Sequence, residues 1–390
     1  MKRSNRFWIL PLAGALSLLA AGCGKESGPI AEPKPPAPAE NETLRHIFKS
    51  GDGGYSCFRI PALIKTKTGI LLAFAEARKD NCSDEGNIDL VVKRSLDNGR
   101  TWSAMATVWN DGNNTCGNPA PVVDQNTGKI HLLMTWNLGT DDISTINNGT
   151  STDTRRVYKT SSTDEGVTWA PVQEITSSVK NPNWGWYATG PCHGMQISGG
   201  PAAGRLVIPC DYIERGSGRK GYSHVIYSDD AGTTWKIGGI SPTIALNPNE
   251  STVAELSDNR LMLNMRVSNN GNLRMKSTSS NGGLTWTTPV NAVGLVDPVC
   301  QGSLINTAPG SQHALYFSNP AATSRTNMTI KQSVDNGETW PKAYSVFKGP
   351  SGYSDLVILS ADSIGILHEG GLQRYTDGIA YKNVGINQFK

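Results

Sequence analysis

Several chemistries are set aside by what the sequence lacks. Its six histidines form no HExxH pattern, and Cys192 and His193 stand adjacent rather than at ligand spacing, so no metal site is indicated. No glycine-rich loop is placed to cradle phosphates, and the chemistry is expected to need no cofactor. Cationic excess is missing too. The formal charge of +3 includes Lys2, Arg3 and Arg6, and without those three residues the chain is neutral, which leaves nucleic-acid binding without bulk electrostatic support. The apolar stretch from Phe7 to Ala21 falls short of the roughly 20 residues that a membrane-spanning helix needs. Long helical periodicity is absent as well.

What is present at the N-terminus is a leader. Lys2, Arg3 and Arg6, the apolar stretch after them and the small residues Ala20-Ala21-Gly22 before Cys23 read as a signal peptide over residues 1–22. Small residues directly before a cysteine resemble the lipobox of bacterial lipoproteins, although Leu19 lies one position earlier than the usual leucine. That resemblance implies a lipid on Cys23 and an exported protein anchored by it to the membrane of a bacterial cell envelope. Residues 23–42 form a tether, since Ser27 to Glu42 is rich in Pro, Ala and Glu and buries nothing. The folded domain is expected over residues 43–390, and a hydrophobic content of 37% suffices for a sizeable core. Six cysteines follow Cys23. An exported protein pairs some of them, but six allow 15 connectivities and the sequence selects none.

One short pattern, Ser-x-Asp-x-Gly-x-Thr-Trp, recurs five times: Ser95–Trp102, Ser162–Trp169, Ser228–Trp235, Ser279–Trp286 and Ser333–Trp340. Five of the ten tryptophans sit in it. The Asp is suited to accept from backbone amides two or three residues on, the Gly to take a positive φ, and the Trp to pack under the turn. Each copy therefore reads as a hairpin staple. Asn281 replaces Asp in the fourth copy, keeping the acceptor and losing the charge, as a structural role permits. Strand-like runs such as Lys129–Trp136, Arg205–Pro209 and Arg260–Arg266 lie between copies, and the spacing suits one four-stranded blade per copy. An all-β, six-bladed β-propeller follows, with one unmarked blade. The pattern resembles the Asp-box of sialidases, whose propellers have six blades.

Further residues carry that resemblance from Phe58 to Glu369. Phe58-Arg59-Ile60-Pro61 is similar to the sialidase FRIP motif, which implies that Arg59 binds the sugar carboxylate. Arg266 in LNMR and Arg325 in NPAATSRTNMTI match the other two arginines of the family triad, and Arg78, ending the run from Leu71, matches an arginine beside the substrate. The residue type has its own logic, because planar guanidinium groups bind a carboxylate through paired, charge-assisted hydrogen bonds that lysine does not reproduce. Glu369 matches the glutamate that supports the first arginine, here Arg59.

The same resemblance implies the catalytic set. Asp84, in the loop Ser83-Asp84-Glu85-Gly86, matches the family acid/base in preference to Asp80 and Asp89, the latter expected in the following strand. Tyr353, in Ser351-Gly352-Tyr353-Ser354-Asp355-Leu356, matches the nucleophile, and Glu250, sixteen residues before Arg266, matches its base in preference to Glu255. A neutral phenol suits an anomeric carbon that already bears a carboxylate, where a second anion is repelled. Segments from Cys116, Trp184 and Asp297 are similar to family pocket loops, and within them and nearby Trp136 and Tyr187 are candidates for the N-acetyl and glycerol subsites. Cys57, Cys82 and Cys116 lie close to site loops, where their redox state bears on loop rigidity. The activity implied is an exo-α-sialidase acting with retention on sialylated glycoproteins, glycolipids or oligosaccharides. Alternatives are a trans-sialidase or a non-catalytic sialoglycan-binding propeller.

Overall fold

The computed structural model describes residues 44–390 except 217, 219, 243 and 308–312, so the signal peptide, Cys23 and the tether lie outside the described residues. Strands dominate, and the longest described helix is the six-residue segment Ile143–Asn148.

The strands form four antiparallel ladders rather than six. Two of them have the expected size: Ser251–Glu255, Leu261–Met265, Leu273–Ser279 and Val290–Val296 make one, and Trp184–Thr189, Leu206–Glu214, Gly221–Ser228 and Lys236–Ile240 make another, with Met195–Gln196 added beside Leu206–Glu214. The other two are larger for identifiable reasons. In the eight-stranded sheet, a meander from Cys57–Lys65 to Ala106–Trp109 is joined to one from Thr115–Val123 to Gln173–Glu174 by the parallel pairing of Ile88 with Thr115. In the seven-stranded sheet, the long strand Lys342–Ser360 pairs first with Thr326–Ser333 and then with Ser363–Gly370, carrying one ladder into the next. His46–Lys49 pairs with Gly378–Gly385, so the start of the domain completes the sheet that ends it.

Burial explains the sequence pattern of each ladder. Inner strands such as Leu71–Arg78 and Ile130–Asn137 are buried along their whole length because one face meets a neighbouring sheet and the other face meets the second meander of their own sheet, and they read as nearly continuous apolar runs. Outer strands such as Ala106–Trp109 and Val290–Val296 are largely exposed. The core lies between sheets: Ala73, Ala75 and Val91 pack against Leu367, Ile379 and Tyr381, while Leu133 and Val157 pack against Leu206, Ile208 and Ile226.

The five repeats are turn staples with one geometry. Asp97 accepts from the Thr101 amide at 2.8 Å and its hydroxyl at 2.6 Å, and Ser95 Oγ accepts from the Gly99 amide at 2.8 Å. The acceptor thus serves an amide four residues on, one residue further than expected, and in the last two copies also the amide three residues on, from Leu284 to Asn281 at 3.2 Å and from Glu338 to Asp335 at 3.1 Å. Asn281 keeps both contacts by reversing one, accepting from the Thr285 amide and donating to its hydroxyl. Three of the tryptophans pack on other hairpins: Trp102 meets Tyr381 and Trp235 meets His131 in a neighbouring sheet, and Trp169 meets Phe74 in the other meander of its own sheet, all edge-on. Gly99 is required twice over, by its φ of 83° and because a Cβ there would lie 2.0 Å from the Tyr381 ring.

Candidate active site

A cavity of about 400 Å³ collects Arg59, Arg78, Asp84, Glu250, Arg266, Arg325 and Tyr353 from separate parts of the chain. The strand Cys57–Lys65 starts this construction. It bulges between Arg59 and Ala62, and Ile60 adopts φ 57°, a conformation that β-branched residues avoid. The bulge turns the Ile60 amide onto Glu369 Oε1 at 3.0 Å. Glu369 is fully buried, and it also accepts from Arg59 Nε at 3.1 Å, Arg59 Nη2 at 3.2 Å and the Tyr353 amide at 3.0 Å. One carboxylate therefore fixes an arginine and the backbone of the tyrosine together. Gly352 makes room for it, since a Cβ there would lie 2.1 Å from Glu369 Oε2. Burial disfavours the charge on Arg59, but Glu369, Tyr353 and Asp84 together outweigh it and the guanidinium is held firmly cationic.

Tyr353 donates its phenolic hydrogen to Glu250 Oε1 at 2.5 Å. Arg266 Nη1 reaches Glu250 Oε2 at 2.6 Å and the Tyr353 oxygen at 3.0 Å. The guanidinium of Arg59 lies 4.9 Å and that of Arg325 5.5 Å from the centre of the Tyr353 ring. Burial, reinforced by the Glu250 carboxylate, pushes the phenol's pKa well above its ordinary value. The cavity thus holds a protonated phenol, a carboxylate in contact with it and three guanidinium groups around both. Arg325 donates to the Val299 carbonyl at 3.3 Å and faces Tyr375 at 5.2 Å.

Asp84 stands at the rim, its side chain 64% exposed, with Oδ1 2.8 Å from Arg78 Nη1 and 3.5 Å from Arg59 Nη1. Burial of its surroundings works against ionisation, yet Arg78 and then Arg59 lower its pKa below the usual carboxylate value. Arg78 is itself aimed by Glu76, whose Oε2 accepts from Nη2 at 2.6 Å and Nε at 3.1 Å. Glu76 escaped the sequence reading, although a visible signal existed: it lies two residues before Arg78 in one strand, hence on the same face.

Further wall residues were also not anticipated. Arg155 stacks 3.8 Å above Trp186, donates to the Tyr187 carbonyl at 2.7 Å, and hydrogen-bonds Asn137 and Asn118. Asp211, nearly fully buried, lines the same cavity, and its Oδ1 has no hydrogen-bond partner among the described residues. Burial and then the nearby Glu250 carboxylate push its pKa well up.

Two expected subsite residues stand elsewhere. Tyr187 is fully buried, with its hydroxyl on the Val179 carbonyl at 3.3 Å, and only its backbone serves the site, through Arg155. Trp136 packs in the core and donates to Asp111 at 2.7 Å; neither residue lines the cavity. Of the competitors set aside, Glu255 is tied to Ser198 and Gly199, and Asp89 lies in the strand Ile88–Ser95 with Tyr55 and Asn110 on its oxygens. Cys192 and His193 do meet a third candidate ligand, Asp355, with donor atoms within 4.8 Å. Its two oxygens already accept from the Leu63, His193 and Leu356 amides, Ser303 Oγ and His193 Nδ1, which makes Asp355 a tie between strands.

Comparison with known proteins places this geometry. A family model described as a BNR repeat-like domain matches residues 69–368. The sialidase of Bacteroides fragilis (strain YCH46) is 32% identical over 355 residues, covering 85% of this chain and 63% of that protein. The chain belongs to the sialidase family. The sialidase of Micromonospora viridifaciens is 30% identical across 98% of this chain and 59% of its own length, so the chain spans about three fifths of these two relatives. Among solved sialidase structures, the Hadza microbial sialidase Hz136 superposes with a TM-score of 0.80 at 32% identity, covering 88% of this chain and 68% of that one.

Proposed function

We propose that the chain is an exo-α-sialidase that removes terminal sialic acid from glycoproteins, glycolipids or oligosaccharides with retention of anomeric configuration. The observation that carries this reading is the 2.5 Å hydrogen bond from Tyr353 to Glu250, set among Arg59, Arg266 and Arg325.

Sialic acid is an anion at neutral pH, and its carboxylate suits the three guanidinium groups. As Tyr353 attacks the anomeric carbon, its proton passes to Glu250, and Arg266, already 3.0 Å from the oxygen, steadies the charge that develops. The glycosidic bond breaks while Asp84 protonates the departing oxygen. Water, deprotonated by Asp84, then attacks the same carbon, and Tyr353 leaves with its proton returned from Glu250. The lowered pKa of Asp84 has a place in this scheme. A substrate carboxylate that engages Arg59 offsets one of the cations holding Asp84 ionised, Arg78 and Arg155 being the others, and the aspartate then gains proton affinity.

The reading extends to architecture and location. The four ladders are taken as six blades, counting the eight-stranded and seven-stranded sheets as two each, and the leader with Cys23 as an export signal and lipid anchor to the cell envelope. A 3-fluorinated sialosyl fluoride, which slows the second step, tests the core of the proposal. It should leave a covalent adduct on the peptide containing Tyr353, and Tyr353→Phe should remain unlabelled. An adduct on Glu250 would refute the assignment.

A further inference from the structure

Cys57 and Cys82 form a disulfide, and its place in the chain is unusual for a staple. Bridges that join distant segments act mainly by closing long loops in the unfolded chain. This one spans 25 residues in sequence, but Cys57 already pairs with Arg78 at the end of the ladder between Cys57–Lys65 and Leu71–Arg78. Once that ladder is formed, the bridge constrains only the short stretch from Arg78 to Cys82. What it restrains is therefore the exposed loop that follows.

That loop bears Asp84. The bridge sits two residues before Arg59 at one end and two before Asp84 at the other. Residues 79–84 are exposed, with Lys79 N on the Asn87 carbonyl at 3.0 Å marking the last rung of the hairpin. Arg78 Nη1 holds the interior by donating to the Cys82 carbonyl at 2.6 Å and the Ser83 carbonyl at 2.7 Å, beside its 2.8 Å contact with Asp84. Cutting the bridge leaves the Arg78 contacts, a 3.5 Å contact from Arg59 to Asp84, the bonds from Ser56 to the Lys79 carbonyl and the Ser83 amide on Asn81 to hold an exposed segment against solvent.

We propose that the Cys57–Cys82 disulfide is a positioning pair for the acid/base loop, holding Asp84 where it reaches the leaving-group oxygen. Cys82 is exposed and Cys57 fully buried, so an external dithiol meets the Cys82 sulfur. The dithiol gives up two electrons and two protons to become its own cyclic disulfide, and the S–S bond accepts both to yield two thiols. Loss of the bridge should then resemble partial loss of Asp84. The inference rests on Asp84 being the acid/base, as proposed above.

The test compares wild type, Cys57→Ala/Cys82→Ala and Asp84→Ala on two substrates, a natural sialyl-oligosaccharide and an aryl sialoside. The aryl leaving group needs little protonation, whereas an alcohol depends on general-acid help of roughly 10²–10⁴-fold. For the double variant, kcat/KM on the oligosaccharide should fall by about tenfold while the aryl sialoside changes by less than about twofold. Dithiothreitol treatment of wild type should reproduce that split, and reoxidation should reverse it. Equal losses on both substrates would assign the bridge to general stability, and unchanged kinetics on both would assign it no part in catalysis; either result overturns the proposal. Asp84→Ala separates this from the underlying reading. If it shows the split while the double variant does not, only the disulfide inference fails; if it shows none, the acid/base assignment fails.

Discussion

Glu369 binds both Nε and Nη2 of Arg59 and, through its other contacts, the backbone amides of Ile60 and Tyr353. A candidate carboxylate-binding arginine and a nucleophile candidate 294 positions apart in sequence thus share one buried support. The first consequence concerns the guanidinium groups that this support arranges.

Arg325 donates one described hydrogen bond, to the Val299 carbonyl, and otherwise faces the cavity. Arg325→Lys keeps the charge and removes the planar fork. A charge-assisted hydrogen bond contributes roughly 1.5–3 kcal/mol, so kcat/KM for a sialoside should fall about ten- to hundredfold. Unchanged steady-state kinetics would place Arg325 outside the substrate contact.

Asp335 represents the turn staples. Burial works against its charge, but the Thr339 hydroxyl and amide, Ser333 and the Glu338 amide together hold its pKa down at about 2. A carboxylate depressed in this way adds stability above its unfolded value, near 4, and loses it as pH falls from about 4 to about 2. Asp335→Ala should lower Tm by about 2 °C at neutral pH with turnover by the folded protein intact, and the deficit should shrink in acid. Activity lost at unchanged Tm would contradict a structural role.

Asp211 carries the opposite sign. Burial first, and the Glu250 carboxylate second, favour its protonated form, against which Arg266 and Arg155 act; Tyr187 and Cys210 are the other titratable neighbours. The folded protein therefore binds a proton that the unfolded chain releases above about pH 4, and stability falls as pH rises from there. Asp211→Asn should melt higher than wild type at pH 7, and the advantage should vanish below about pH 4. Calorimetry that finds equal or lower Tm at neutral pH would show that Asp211 is ionised and compensated.

Much of the site was legible because its residues sit in short, self-identifying segments. Arg59 in its FRIP motif, Tyr353 after Gly352, and the five turn repeats each carry their pattern within a few residues. The missed residues lack such a frame. Arg155 and Arg156 are adjacent and locally alike, yet Arg155 is buried over Trp186 while Arg156 pairs with Asp153 and Glu174. Which of two neighbours turns inward depends on the sheet that receives it. Tyr187 failed for a related reason: the register shift between Trp184 and Tyr187 breaks the strand's alternation and turns both side chains into one core, where Trp184 and His224 meet Tyr187, while its carbonyl serves the site. The merging of ladders through Ile88 and through Lys342–Ser360 likewise depends on pairings between segments, which no single segment records.

The contact between Tyr353 and Glu250 bears on the central claim, and the stereochemistry of the first product tests it most directly. Two displacements at one carbon, first by Tyr353 and then by water, restore the starting configuration. Time-resolved NMR of a sialoside digest, recorded before mutarotation, should show the α-anomer of sialic acid appearing first. Initial release of the β-anomer would contradict a tyrosine nucleophile and with it this account of the site.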